Sequence, residues 1–384
     1  MTILSMNRTP SSHPSPAVYL SSTRSAAVLG SSNVSTPGTL ARAQTAASED
    51  GRTPPKHMSP MGEKVPGGRL RRIRSGSRSQ WMRKSERGLS RILVAISLLP
   101  FIASARAQNL AGDEALSKVL IDGEGWQIVA EGFGFTDAAC ADAQGNFYFF
   151  DLGKGTGIQR IGSDGKAATF IANTPKCSGL KFGPDGHLYA CTQGTNKQVV
   201  ALDVPSGKIT VLADKVQPND LIVSRKGLVY FTETGKRQVT IVDSKGNVRV
   251  GATGINKPNG ITLSPDQGTL AVSEYGGTNV WVFRVEQDGS LTAGERYMTL
   301  RAPTGKSDSG GDGMTTDAQG RYYVTSHVGI QMFDSTGRLG GVIERPQNKG
   351  TVSIAFAGPN LEYLYVCSSD KIYRRKTKAK GVSP

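Results

Sequence analysis

Residues 257–270 read KPNGITLSPDQGTL, and residues 217–231, forty positions earlier, read QPNDLIVSRKGLVYF. In both stretches Pro-Asn precedes a short alternation of apolar and polar residues, a turn, and a second alternation. Alternation with a period of two is typical of β-strands, and the Gly, Asp and Asn residues between the runs favour tight turns. Each stretch therefore predicts an antiparallel β-hairpin that begins just after Pro-Asn.

The same pattern recurs six times along the chain. The polar residues that open the copies are Asp137, Ser178, Asn219, Asn259, Asp312 and Ser353, at spacings of 41, 41, 40, 53 and 41 residues. A third strand follows in most copies and a fourth in several. Four strands per repeat of about 40 residues is typical of a β-propeller. We therefore predict an all-β fold, a six-bladed β-propeller with four antiparallel strands per blade.

Two segments lie outside the regular pattern. The strand-like run GWQIVAEGFGF at 125–135 precedes the first copy, and we expect it to complete the last blade and close the ring, because closure removes free sheet edges. The fourth copy is about a dozen residues longer than the others, around LRAPTGKSDSGG at 300–311. We expect this insertion to form a longer loop on one face.

The charge of the chain is concentrated at its N-terminus. The 384 residues carry a net charge of +15, of which residues 1–107, with 16 of the 46 basic and 4 of the 31 acidic residues, account for +12 and residues 108–384 for +3. A nucleic-acid partner needs basic charge on the folded part of the protein, so the nearly neutral body argues against one. Residues 1–81 are rich in Ser, Pro, Thr, Ala and Arg, and we expect them to be disordered.

Residues 82–107 have the order of a secretory signal peptide. A basic stretch, MRKSERGLSR, precedes the apolar run ILVAISLLPFIA, and small residues follow at Ala105 and Ala107. We predict that residues 1–81 belong to an over-extended reading frame and that the mature protein, residues 108–384, is periplasmic or secreted without a stable membrane span. An uncleaved single-span anchor with a cytoplasmic basic arm is the alternative.

The cysteines do not have metal-ligand spacing. No C-x-x-C pair occurs, and the four residues lie at strand-like positions: Cys140, Cys177, Cys191 and Cys367. We expect buried free thiols, with a Cys177–Cys191 disulfide as an open alternative in an oxidising compartment.

The six opening residues suggest a cation site. Each lies just before the innermost strand of a blade, so all six should face the central channel near one end. Two carboxylates, two carboxamides and two hydroxyls form an all-oxygen set, which suits a divalent cation, Ca²⁺ first, with Mg²⁺, Zn²⁺ or Mn²⁺ as alternatives. The simpler interpretation is that each Asp or Asn caps its own turn. Six oxygen side chains at six openings favour the cation.

The run GWQIVAEGFGFTDAACADAQGNFYFFD, the motifs PNDL, PNGI and GDGM, and the ending VSIAFAGPNLEYLYV resemble the gluconolactonase/regucalcin/luciferin-regenerating family of six-bladed propellers. The resemblance implies that Asp137, Asn259 and Asp312 hold the metal and that Asn219 contacts the substrate or a metal-bound water. The family usually has Glu-Gly-Pro where this chain has Asp137-Ala138-Ala139, and Asp is shorter by one methylene. Glu131, in AEGF, is a minor alternative for this corner.

We therefore predict an exported metal-dependent hydrolase of a sugar lactone or a related lactone or ester. Asp312 would act as metal ligand and general base, and Asn219 would orient the substrate or water. Side chains expected to line the pocket are Ser178, Ser353, Gln217, Lys257 and His327. The substrate would be a small lactone and the protein a monomer. The alternative is a secreted non-enzymatic propeller that binds a small molecule, a glycan or Ca²⁺, because fold alone does not fix function.

Overall fold

A computed structural model describes residues 116–204 and 206–384. The expectations for residues 1–81 and for the signal peptide at 82–107 lie outside the described residues. In the described part of the chain, the strands form six four-stranded antiparallel sheets, as the repeats predict. The first strand, β1 (Gln127–Glu131), follows a short 3-10 turn at Leu116–Lys118.

Blades 1 to 5 each use four consecutive strands. Blade 1 contains β2 (Thr136–Ala141), β3 (Phe147–Asp151), β4 (Ile158–Ile161) and β5 (Ala167–Ile171). Blade 2 contains β6 (Cys177–Phe182), β7 (Leu188–Thr192), β8 (Val199–Leu202) and β9 (Ile209–Ala213). Blade 3 contains β10 (Leu221–Val223), β11 (Val229–Glu233), β12 (Gln238–Val242) and β13 (Val248–Thr253). Blade 4 contains β14 (Pro258–Leu263), β15 (Thr269–Glu274), β16 (Asn279–Val285) and β17 (Leu291–Thr299). Blade 5 contains β18 (Met314–Thr316), β19 (Tyr322–Ser326), β20 (Gly329–Phe333) and β21 (Leu339–Ile343).

Blade 6 joins the two ends of the propeller. Its strands are β22 (Ser353–Ala357), β23 (Tyr363–Ser368), β24 (Lys371–Lys376) and, outermost, β1. The pairing of β1 with β24 is antiparallel, with Gln127 opposite Arg374 and Glu131 opposite Lys371. The run at 125–135 therefore closes the ring as predicted.

Aspartates at the turns between the first two strands of a blade explain the recurring Asp-Gly signals. In blade 1, Asp142 Oδ1 accepts the backbone N–H groups of Gln144 and Asn146 at 3.0 and 2.9 Å. Its other oxygen accepts the hydroxyl of Tyr148 at 2.8 Å. The equivalent Tyr-to-Asp bonds in blades 2 and 5 join Tyr189 to Asp185 and Tyr323 to Asp317. Each turn thus fixes the register of the hairpin that follows it.

The core lies between neighbouring blades rather than inside one layer. The described residues form six buried apolar clusters, one at each boundary between blades. Between blades 1 and 2, for example, Phe150 packs in one cluster with Leu180 and Leu188, and all three are fully buried. Burying a side chain of this size contributes about 1.5–3 kcal/mol. Because every blade takes part in two clusters, the ring depends on all six blades.

All four cysteines are buried free thiols, as the sequence analysis expects, and Cys177 and Cys191 are not joined. Among the described residues, no helix has the length and apolar character needed to cross a membrane.

Candidate functional site

A β-bulge interrupts the innermost strand region of every blade at the same end. In blade 4, Pro258 pairs with Glu274 and Ile261 with Val272, so Asn259 and Gly260 face one residue, Ser273. Blades 1 and 2 show the same register shift in their strand pairing. In blades 3, 5 and 6 the backbone hydrogen bonds at the start of the first strand show it. The two bulged residues in chain order are 138/139, 178/179, 219/220, 259/260, 312/313 and 352/353. Bulges re-aim side chains and are common beside functional sites.

Four of the six predicted opening residues occupy the first position of their bulge. These four are Ser178, Asn219, Asn259 and Asp312. Asp137 lies one residue before the bulge of blade 1, and Ser353 is the second bulged residue of blade 6, with Val352 before it. The six opening residues are therefore not equivalent in register. The repeated sequence did not predict this difference, because it does not show which residues form the bulge.

Two of the predicted ligands, Asp137 and Asp312, have raised pKa values inside the channel. Burial raises the pKa of Asp137 from its ordinary 3.8 to about 7, opposed by a 2.8 Å hydrogen bond from the N–H of Ala138 and reinforced by the charge of Asp220. Burial, followed by the charges of Asp137 and Asp220, raises the pKa of Asp312 well above its usual range. Carboxylates that are buried away from water and repel one another favour a bound positive charge.

Asn259 completes this arrangement from the neighbouring blade. Its side chain is hydrogen-bonded to Asp312, which opposes the rise in the pKa of that carboxyl. An amide that donates through its nitrogen keeps its oxygen as an acceptor. Asn259 is half-buried, as are Asp137, Asn219 and Asp312. The structure therefore brings the three predicted metal ligands and the predicted catalytic Asn219 to the same end of the channel.

The sequence analysis missed a third carboxylate, Asp220. Its Oδ1 accepts the N–H of Leu221 at 2.8 Å, while burial raises its pKa and the ammonium of Lys181 lowers it. Gly179 packs directly against it, since a Cβ on Gly179 would lie 2.9 Å from the Asp220 carboxylate. A signal was present: Asp220 stands in the second bulge position, where blades 2, 4 and 5 have glycine.

Ser178 and Ser353 use their hydroxyls to join blades. The Ser178 hydroxyl donates to the carbonyl of Asn219 at 2.6 Å and accepts from Gln193. The Ser353 hydroxyl accepts the N–H of Ala139 at 2.8 Å. Both serines are buried.

A second set of hydroxyls, on the second strands, binds the bulge carbonyls of the next blade. Thr232 donates to Asn259 O at 2.7 Å, Ser273 to Asp312 O at 2.7 Å, and Thr325 to Val352 O at 2.8 Å. These bonds fix the backbone that carries Asn259 and Asp312.

The other predicted pocket residues are exposed and follow or precede the strands that carry the candidate site. Gln217 and Lys257 are exposed and directly precede the prolines of the two Pro-Asn motifs. His327 follows β19, and its side chain is 44% exposed, with Nε2 3.5 Å from Asp308 Oδ1. Glu131 is on the outermost strand of blade 6, exposed and paired with Lys371. The alternative of Glu131 as a channel ligand is therefore wrong, because β1 is the strand farthest from the axis.

A partly open cavity of about 120 Å³ lies at the other end of the channel, lined by residues near the ends of the six innermost strands, including Lys181 and Thr262, and by the C-terminal residues 382–384. No group of three or more His, Cys, Asp and Glu side chains suited to a metal is found within residues 116–204 and 206–384. A cation at the opposite, polar end would therefore need the amide oxygen of Asn259 in addition to carboxylates.

Comparison with known proteins agrees with this architecture. Residues 134–370 match the family model described as the SMP-30/gluconolactonase/LRE-like region. A gluconolactonase of Zymomonas mobilis is 27% identical over 232 residues, which cover 54% of this chain and 65% of that protein. The pentonolactonase XacC of Haloferax volcanii is 26% identical over 230 residues, covering 58% of this chain and 77% of that protein. The matched region thus spans slightly under two thirds of the Zymomonas protein.

Solved structures show the same fold. A gluconolactonase from Xanthomonas campestris superposes with a TM-score of 0.60 at 22% identity, covering 68% of this chain and 92% of that one. Regucalcin from Agrobacterium tumefaciens, described as a calcium-binding protein, superposes with a TM-score of 0.57 at 17% identity, covering 68% of this chain and 97% of that one. At these identities the likeness concerns the fold alone.

Proposed function

Because the chain belongs to the SMP-30/gluconolactonase/LRE-like family, we propose that it hydrolyses a lactone at the polar end of its channel. The observation that carries the proposal is the hydrogen bond between the side chains of Asn259 and Asp312 at that channel end, where the charges of Asp137 and Asp220 also act on Asp312. The curated lactonases from Zymomonas and Haloferax support the reaction class.

The reaction adds one water to the lactone carbonyl and breaks the ring C–O bond, giving a hydroxy acid. Asp312 is the proposed general base, because burial and the charges of Asp137 and Asp220 raise the pKa of its carboxyl, which makes the ionised carboxylate a stronger proton acceptor than an exposed one. The proton then passes to the ring oxygen that leaves as an alcohol. Asn219, at the equivalent bulge position in blade 3, would orient the lactone or the water through its carboxamide.

The donor set fits a divalent cation. The charges of Asp137 and Asp220 raise the pKa of Asp312, the charge of Asp220 raises that of Asp137, and all the offered donors are oxygens, as hard cations prefer. Asp137, Asn259 and Asp312 would hold the ion, with Ca²⁺ first and Mg²⁺, Zn²⁺ or Mn²⁺ as alternatives. When bound, it would supply Lewis-acid stabilisation of the oxyanion that forms at the carbonyl.

The test begins with the purified protein spanning residues 108–384. Metal content would be measured, followed by hydrolysis of glucono-δ-lactone and a panel of other lactones. We expect Asp312→Asn to lower kcat at least about a hundredfold, as loss of a general base typically does. Asp164→Asn, at an exposed turn, is the matched control and should leave activity unchanged.

A non-enzymatic binding propeller is the competing proposal. It is favoured by one feature, the Asp at position 137 where the family usually has Glu. Bound metal without hydrolysis of any lactone in the panel would support it over the enzyme.

We also propose export to the periplasm or outside the cell, based on the signal-like order of residues 82–107. N-terminal sequencing of the exported protein tests this. A mature N-terminus near Gln108 is expected, and one upstream of Met82 would overturn it.

A further inference from the structure

The insertion at 301–311 is tied to blades 4 and 5. At its start, the N–H of Arg301 donates to Gln331 Oε1 at 2.8 Å, and Gln331 Nε2 returns a bond to Arg301 O at 2.9 Å. Near its end, both the N–H and the hydroxyl of Ser309 donate to Gly277 O, at 2.8 and 2.9 Å. The loop therefore has a defined position beside the channel mouth.

The loop brings a carboxylate to His327. Asp308 Oδ1 lies 3.5 Å from His327 Nε2, and the backbone N–H of His327 donates to Ser309 O at 2.9 Å. The imidazole rests on Gly310, where any added Cβ would overlap the ring atoms. Gly310 also has a φ of +60°, which favours glycine. The sequence of the loop is thus adapted to the position of this histidine.

Tyr275 connects this pair to the candidate site. Its backbone N–H donates to Lys257 O at 3.0 Å, and its ring meets the His327 ring edge-on with 5.8 Å between centroids. The charges of both Asp312 and Asp308 act on its phenol. Tyr275 therefore lies within the electrostatic influence of one channel carboxylate, Asp312, and of the loop carboxylate, Asp308.

We propose that Tyr275, His327 and Asp308 form a specificity wall that binds hydroxyl groups on the lactone ring. The inference rests on the proposed function and adds the residues that select the substrate. A phenol, an imidazole and a carboxylate offer donors and acceptors that match ring hydroxyls. Folding alone does not explain the wall, because a half-exposed His–Asp contact of 3.5 Å contributes little stability.

The experiment compares two lactones with the same ring. Glucono-δ-lactone carries hydroxyl groups and δ-valerolactone has none. For Tyr275→Phe and for Asp308→Asn we expect KM for glucono-δ-lactone to rise about tenfold, the effect of one lost hydrogen bond, with δ-valerolactone kinetics unchanged. Tyr297→Phe, at an exposed tyrosine, is the matched control and should change neither.

The outcomes separate the two proposals. Equal changes for both lactones, or no change for either, would overturn the wall while leaving lactone hydrolysis intact. A wild-type protein that hydrolyses neither lactone nor any other in the panel would overturn the proposed function. The specificity wall, which rests on that function, would be overturned as well. Asp308 is on the surface, so its variant tests the wall even if Tyr275→Phe is unstable.

Discussion

The hydroxyl of Thr232, in blade 3, donates a 2.7 Å hydrogen bond to the carbonyl oxygen of Asn259, in blade 4. The same hydroxyl accepts the N–H of Asp220 at 3.1 Å. One buried threonine thus holds the backbone of two channel residues in different blades. Ser273 and Thr325 make the equivalent inter-blade bonds farther round the ring, so the geometry of the polar end depends on side chains that do not themselves face a substrate.

Replacing Thr232 by Val should destabilise the protein, because the isosteric side chain leaves the Asn259 carbonyl without this donor. We expect the free energy of unfolding to fall by about 1–3 kcal/mol, the cost of an unsatisfied buried polar group. Urea denaturation measures it. Thr232→Ser keeps the hydroxyl and should retain most of the stability. A larger loss for Ser than for Val would show that packing of the methyl group matters more than the hydrogen bond.

Gly260 tests how closely blades 4 and 5 approach at the site. A Cβ at this position would overlap the carbonyl oxygen of Asp312 and lie 2.8 Å from the Cα of Gly313. Backbone atoms cannot move aside cheaply, so Gly260→Ala should lower the free energy of unfolding by about 3 kcal/mol. Gly125→Ala, where a Cβ would contact nothing, is the control. Wild-type stability in Gly260→Ala would contradict the close packing.

The repeat pattern predicted the blades because strand alternation and turn chemistry are local properties. It also predicted that Asn259 and Asp312 lie close together, since residues that open equivalent strands meet at the axis of a ring, and their side chains are hydrogen-bonded. The bulges were not predictable, because strand register depends on pairing between strands. For this reason the sequence did not predict that Asp137 and Ser353 differ from the other four opening residues in their position relative to the bulge.

Two other features depend on contacts that are distant in sequence. Asp220 follows a residue already assigned a role; its place where three other blades have glycine was a signal, and its effect on Asp137 and Asp312 shows its importance. Tyr275 is one tyrosine among 11, and its place beside His327 comes from the packing of blade 4 against blade 5.

The metal-free protein should lose stability as the pH rises through the acidic range. With the pKa of Asp137 raised from 3.8 to about 7, the folded state binds more protons than the unfolded chain between these values. The free energy of unfolding therefore decreases with rising pH in this window. With a chelator present, the Tm of the wild type relative to Asp137→Asn should fall between about pH 4 and about pH 7. Added Ca²⁺ should reverse the fall. A constant difference would show that Asp137 titrates normally.

Asp137→Glu tests whether the shorter carboxylate limits metal binding. The Asp137 carboxylate accepts the backbone N–H of the next residue, Ala138, which has a φ of +61°. One of its two oxygens is therefore already bonded to the neighbouring backbone. A glutamate adds one methylene from the same Cα and should extend the carboxylate toward Asn259 and Asp312. We expect Ca²⁺ affinity, measured by titration calorimetry, to rise about tenfold, equivalent to about 1.4 kcal/mol. Asp137→Asn, which removes the charge at constant length, should weaken binding. Unchanged or weaker binding in Asp137→Glu would show that the bulge of blade 1, one residue later than Asp137, already places the aspartate where the ion needs it.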